Sequence, residues 1–387
     1  MLLRFAAVRS GLRKALLAIL AVGLLVLLLY KLRGSVHLSG FRWSLLLTLP
    51  AQANLWLLLL SIATIYLCYA IRALRWTCFA RSIGPASFKN IFTSTMMGFT
   101  CVFLLGRVGE PIRPMLIARK DKVPLAGTFG IYVLERIFDL SATAVAAGIA
   151  FLVIGKGVAL RPEAAPLLAH ARHAGTGLLL GALGAIAFLA YIRLHGAGAL
   201  AARLDAAGKR RPQIARVAGL FSAFVDGLHC LRNMTDLAVA VGLTALHWFF
   251  NTLVYLWVIN SFGGRLADFH LGDALLVMVF TLVGSALQLP GVGGGSQLAT
   301  FLVLTVIYGV ESERAAVAAI VVWLITFTAV SLAGVPLLLR EGWSLGDLRR
   351  LAREERAAEA AGGHTSAPVM PSGPHDPHAP HVAKEKT

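Results

Sequence analysis

The stretch IFTSTMMGFTCVFLLGRVGEPIRP, residues 91–114, decides how this chain is organised. Largely apolar residues from Ile91 to Leu105 run straight into Gly106-Arg107-Val108-Gly109-Glu110-Pro111-Ile112-Arg113-Pro114. A helix that crosses a bilayer needs about 20 apolar residues, and this run stops short at glycine, proline and charge. A broken helix leaves N–H and C=O groups unpaired, which membrane depth tolerates only inside protein or beside water. Ionisable groups placed there are costly, so they mark functional positions.

The rest of the chain supplies the membrane setting. Of 387 residues, 57% are hydrophobic and 14% charged, with a mean hydropathy of +0.74, which leaves too little polar surface for a soluble domain. The net charge of +17 does not point to nucleic acid, because the basic residues lie between apolar segments rather than in one patch. Loop positioning and attraction to anionic headgroups account for it better. Cys68, Cys78, Cys101 and Cys230 have no metal-type spacing and read as free thiols, and no motif calls for a metal or cofactor. Arg4, Arg9, Arg13 and Lys14 precede the apolar run 15–30, but Lys31-Leu32-Arg33 follows it without a small-residue cleavage site. That run reads as an uncleaved first helix.

Further apolar runs fall near 54–71, 91–105, 128–154, 176–192, 237–261, 274–289, 297–310 and 315–339, helical by length. Lys and Arg concentrate in 1–14, 72–90, 107–127, 193–236 and 340–387 and are sparse in the other connections. If 91–105 crossed fully, rich segments would fall on both sides. If it enters from the cytoplasm and returns, 27 Lys and Arg lie inside against 8 outside, with only Arg136 in a helix. The 91–105 run is therefore expected to be re-entrant. The pair 274–289 and 297–310 reads either as two crossings or as one hairpin, and its joint, LPGVGGGSQ at 289–297, again breaks a helix. On the hairpin reading the two broken elements enter from opposite faces, as in an inverted repeat with a midplane site. The expectation is an all-α polytopic membrane protein with about six to eight transmembrane helices plus one or two re-entrant or broken segments. Residues 1–340 form the membrane domain, 341–356 a basic juxtamembrane segment, and 357–387 a Pro/His-rich disordered tail. His364, His375, His378 and His381 in that tail are incidental to a solvated segment rather than a metal site.

Three groups of residues can carry chemistry. Arg107 and Arg113 offer permanent charge and forked donors suited to phosphate. Glu110 lies between them and can neutralise one when the site is empty. The competing reading is a loop whose arginines only set topology. Glu135, Arg136 and Asp139 follow near the start of the 128–154 helix, where Glu135 and Asp139 are four apart and share a face. They serve either a binding site or a structural ion pair. Gly291, Gly293, Gly294, Ser296 and Gln297 form the late turn, which lacks the Lys-Ser/Thr of a P-loop. Backbone N–H groups and a helix N-terminus facing a cavity are its functional reading; close helix packing is the other. His247 and Asn251 share a face of the 237–261 helix and are explained by interhelical hydrogen bonding.

These motifs together, GRVGEPIRP at 106–114, ERIFD at 135–139 and LPGVGGG at 289–295, resemble the lysylphosphatidylglycerol synthase transmembrane-region family, also called flippase-like. The likeness covers about residues 10–340. It departs at Gln297, where the family pattern usually has a glutamate. The resemblance implies an inner-membrane protein of a bacterium, with both termini cytoplasmic, that binds or translocates a phospholipid or lipid-linked headgroup. Its partners would be membrane lipids with anionic or phosphate-bearing headgroups, and a separate lipid-modifying enzyme is a further partner to consider. The aminoacyl-transfer reaction belongs to a soluble domain for which the 47 residues after Arg340 leave no room. The alternative is a membrane enzyme or accessory subunit acting on headgroups at the cytoplasmic face through Glu110, Glu135 and Asp139.

Overall fold

The computed structural model describes residues 44–153, 234–289 and 293–342, with Arg42, Gly346 and parts of 173–187. The expected first helix at 15–30, about half of the 176–192 run, Cys230, Gly291, most of the juxtamembrane segment and the tail lie outside the described residues.

Short α1 (Leu45–Gln52) leads into α2 (Leu55–Ala80), whose first turn is capped by Asn54 Oδ1 accepting from the N–H groups of Trp56 and Leu57. The hydrophobic run was expected to end at 71, but the helix continues to Ala80 and carries Arg72 and Arg75 inside it. Next come α3 (Phe88–Leu105), a 3-10 turn at Gly106–Gly109, and α4 (Ile112–Asp121). Gly106 ends α3 at φ +70°, a conformation open to glycine. Pro111 caps α4 and Pro114 lies in its first turn, where no N–H is needed. A Cβ on Gly109 would strike the Cys101 carbonyl, so glycine lets the turn fold back on α3.

This element returns to where it started. Asp121 accepts from Asn90 Nδ2 at 2.6 Å and from the Ser87 N–H at 3.3 Å, and Lys120 Nζ donates to Thr93 Oγ1 at 3.0 Å. At 1.5 Å per residue, the ten residues of α4 rise only about 15 Å, half a bilayer core. Residues 88–121 are thus a helical hairpin with both ends on one face, here the near face, as the charge pattern required.

From there α5 (Leu125–Val153) runs to the far face, where Val153 meets Gly272. Helix α6 (Met234–Asn260) packs along α2, and Ser261 O accepts from Asn54 N at 2.8 Å, so its end also lies at the far face. A second hairpin begins there. Helix α7 (Leu271–Gly284) and α8 (Gly295–Leu302) are joined by a two-residue β-pair, Gln288–Leu289 with Gly293–Gly294. Close approach of its arms puts Gly284 against Gly295 and Ala299, and Thr281 Oγ1 lies 2.6 Å from Thr300 Oγ1. Its base is closed by Tyr308 Oη donating to Asp273 Oδ1 at 3.0 Å. The last crossing, 312–340, comprises α9 (Ser312–Trp323), a π turn at Leu324–Thr328, and α10 (Ala329–Arg340). It starts beside the far-face carbonyl of Phe262 through Arg314 Nη1 at 2.8 Å. At the near face, Glu341 pairs with Lys120.

The described residues thus form two triplets of crossing, hairpin and crossing, running in opposite senses. The first hairpin enters from the near face and the second from the far face. This selects the hairpin arrangement for 271–308 and the inverted sense of the repeat. Among the described residues, five helices are long and apolar enough to cross a membrane, and α3, one of them, serves as a hairpin arm. Trp56, Leu140, Val283 and Leu332 are exposed on the outside, as side chains facing lipid should be. The core of the second triplet packs Val254, Leu276, Val277, Leu304 and Val322, all fully buried.

Sidedness reporters placed at Gly84, Lys122 and Gly309 test the arrangement. Gly84 and Lys122 should report the same side and Gly309 the other. A reporter at Lys122 that reads with Gly309 would overturn the first hairpin.

A buried arginine–carboxylate cluster as candidate functional site

Helix α2 turns one face inward at Arg72, Arg75 and Trp76, with Ala73 and Phe79 packed against Ile131, Leu134 and Phe138 of α5. On α5, Glu135 and Asp139 lie one turn apart and meet those arginines. Arg72 Nη1 is 3.1 Å from Glu135 Oε1 and 3.0 Å from Asp139 Oδ2. Arg75 Nη2 is 3.1 Å from Glu135 Oε1 and 2.8 Å from Asp139 Oδ1, and its Nη1 donates to Thr244 Oγ1 at 2.7 Å. The returning arm α4 contributes Arg113, which pairs with both oxygens of Glu135, with Nη1 at 3.3 Å from Oε1. Arg136 adds a contact to Asp139 Oδ2 at 3.2 Å.

Arg75, Arg113, Glu135 and Asp139 are all buried, Glu135 completely. Arg136 keeps 35% of its side chain exposed and forms the cluster's open edge. Gly98 makes the approach of α4 feasible, because a Cβ there would collide with the Arg113 side chain and backbone. The Arg113 guanidinium lies 4.9 Å from the Trp76 ring, 5.3 Å from Phe99 and 5.8 Å from Tyr132. These rings hold a charge that the forked donors orient.

Helix α6 completes the wall. His247 Nε2 lies 3.0 Å from Arg72 Nη2, and its Nδ1 is 3.1 Å from the Cys68 carbonyl.

Several sequence expectations change. Arg72, Arg75 and Arg113 are buried cluster members rather than loop charges; without them the tally is 24 against 8, which still favours the same topology. Glu110 does not pair with Arg113; it accepts from the Tyr132 hydroxyl, while Glu135 takes Arg113. Of Arg107, only the backbone turn lies among the described features. His247, set aside as interhelical glue, touches the cluster directly. The signal for Arg72 and Arg75 was present: apolar residues and Trp76 continue on the same helix past them to Ala80.

The late turn forms a separate feature. Gly293 and Gly294 adopt φ of +87° and +112°, Gln297 Oε1 accepts from Gly294 N, and Ser296 Oγ is fully buried without a partner among the described residues. Among the described residues, the ion pairs of the cluster reach none of this turn. Nor do the described residues contain a group of three or more His, Cys, Asp or Glu placed to hold a metal.

A family described as "Lysylphosphatidylglycerol synthase TM region" matches residues 15–334, most of the chain. The chain belongs to this family. It is accordingly a membrane protein related to the handling of lipid headgroups. No match was found among curated proteins or among solved structures. The matched region contains every member of the cluster, from Arg72 to His247, and both hairpins.

Removing one partner of a buried ion pair strands the other and costs about 3–5 kcal/mol, whereas an exposed pair is worth about 0–1 kcal/mol. Glu135→Gln should therefore lower the unfolding temperature in detergent far more than Arg136→Ala. Equal losses would show that Glu135 does not anchor the cluster.

Proposed function

We propose that this protein binds an anionic, phosphate-bearing lipid headgroup among Arg72, Arg75, Arg113 and Arg136 and translocates the lipid as a flippase. The observation that carries the reading is a charge imbalance in a buried place. Four guanidiniums meet Glu135 and Asp139, leaving two positive charges in excess, or one if Glu110, held by Tyr132, is included. Four buried N–H donors in the same place, Arg72 Nε, Arg75 Nε, Arg136 Nε and Trp76 Nε1, have no acceptor among the described residues. An excess of donors and of positive charge in a low-dielectric interior calls for an anion rich in acceptor oxygens, and phosphate meets that description.

Glu135 and Asp139 act as placeholders in this reading. They keep the guanidiniums ionised and oriented while the site is empty, and they yield part of them to the incoming phosphate. Arg136 lies at the exposed edge and makes the first contact. Opposed hairpins supply the rest of the mechanism, because an inverted pair of triplets can rock about a central site and open it to each face in turn.

The reading puts the near face in the cytoplasm of a bacterium, at the inner membrane. Arg81, Lys89, Arg119, Lys120, Lys122 and Arg340 lie towards that face, against Arg42, Arg265 and Arg314 at the far one, in keeping with the positive-inside rule.

Vesicles containing the purified protein and a fluorescent anionic phospholipid test the proposal through the accessibility of the label to a membrane-impermeant quencher. The wild type should expose inner-leaflet label. Arg113→Lys should slow that exposure by about tenfold or more, because an ammonium can neither fork onto phosphate nor stack among three rings as a guanidinium does. Unchanged movement in Arg113→Lys would remove Arg113 from the site, and no movement in the wild type would remove the flippase reading.

A further inference from the structure

We infer that His247 takes up a proton when an anionic headgroup draws Arg72 away from it, so that the protein binds the anion and a proton together. The inference rests on the headgroup reading above and adds an ion to it.

The geometry fixes the protonation of the empty state. The Cys68 carbonyl can only accept, so His247 Nδ1 at 3.1 Å carries the hydrogen. The Arg72 guanidinium can only donate, so His247 Nε2 at 3.0 Å must be bare. The ring is therefore the neutral Nδ1–H tautomer, pinned from both sides, with the Asn251 amide 3.2 Å from the same Nε2. A second proton has nowhere to sit while Arg72 occupies that position.

The charged and titratable groups facing His247 come from three helices. Helix α2 brings Cys68, Arg72 and Arg75, α5 brings Asp139, and α6 itself brings the neutral Thr244 and Asn251. Arg72 is at once the blocking donor and a member of the proposed phosphate site, bonded to Glu135 and Asp139. If it shifts onto a phosphate, Nε2 loses its donor and the adjacent positive charge, while Asp139 loses a partner. Both changes favour imidazolium. The proton enters Nε2 as His plus H⁺ gives HisH⁺, with no bond broken elsewhere. Rotation of the Asn251 amide then presents Oδ1 to the new N–H, in exchange for the hydrogen bond that Nδ2 donates to the His247 carbonyl at 3.0 Å. A singly charged phosphodiester and one proton together leave the net charge of the occupied cluster equal to that of the empty one, with the proton held between Asp139 and the bound anion rather than against Arg72.

His247 also joins the two triplets, because α6 opens the second one while its ring holds an arginine of the first. A proton there acts where the halves meet.

The test uses the full chain in detergent and dioctanoyl phosphatidylglycerol as the probe. Binding heats are measured in two buffers of different ionisation enthalpy, with the wild type and His247→Gln. Gln can accept from Arg72 but cannot titrate. The wild type should take up about one proton per lipid bound near pH 7, and its affinity should weaken by about tenfold for each unit rise in pH above that. His247→Gln should bind lipid with no uptake and a flat pH dependence. Lipid binding by the wild type without proton uptake would overturn the inference and leave the headgroup site standing, as would equal uptake by His247→Gln. Absence of lipid binding in the wild type would instead overturn the headgroup site and the inference with it. The wild-type pH dependence is a second reading that holds even if His247→Gln fails to fold, and a flat profile there would also refute the coupling.

Discussion

A charge buried in an apolar bundle must find a partner, and in this protein that requirement organises half of the fold. Glu135 has no exposure to solvent, and Arg72, Arg75 and Arg113 converge on it from two other elements. Arg113 can reach Glu135 only because the chain breaks at Gly106 and comes back along α3. The hairpin and the ion network are thus one feature. Without the return Glu135 would lose Arg113, and without Glu135 the returning arm would carry an uncompensated guanidinium into the interior. The same network leaves the cluster short of negative charge, which ties its stability to its proposed ligand.

The two triplets share a plan but differ in chemistry. In the first, the crossing helices and hairpin meet through guanidinium and carboxylate. In the second, the hairpin arms meet through Thr281 and Thr300, with glycines letting their backbones touch. Hydroxyl contacts of this kind hold membrane helices together at modest energy and carry no net charge. The asymmetry puts the charged cluster towards the near face and leaves the second hairpin as a lightly bonded, closely packed unit. Its turn, with two glycines at positive φ and a buried Ser296, is built from backbone that only a protein interior or a wet cavity can accommodate.

Much of this was legible in the residues themselves. The short run before Gly106, the glycine and proline around Glu110, and the distribution of Lys and Arg were enough to require an element that enters and returns. The i, i+4 spacing of Glu135 and Asp139 placed both on one face. What was not legible depended on contacts distant in sequence. Counting charges treats every arginine near a helix end as a topological signal, so Arg72 and Arg75 were assigned to a loop although their helix continues to Ala80. Proximity in sequence suggested that Glu110 would neutralise Arg107 or Arg113, but the turn at Gly109 and Pro111 sends Glu110 to Tyr132 rather than to Arg113. His247 shares a face with Asn251 as expected, yet nothing local to α6 shows that an arginine 175 positions earlier rests on its ring.

The central claim is that the excess of guanidinium over carboxylate is completed by a phosphate. The most direct measurement is an electron cryo-microscopy map of the protein in nanodiscs made with anionic phospholipid. The account predicts a phosphate-sized density bonded to Arg72, Arg113 and Arg136, with at least one of these guanidiniums withdrawn from Glu135 or Asp139. A map that resolves all four arginines, still closed on the two carboxylates and with no density between them, would contradict it.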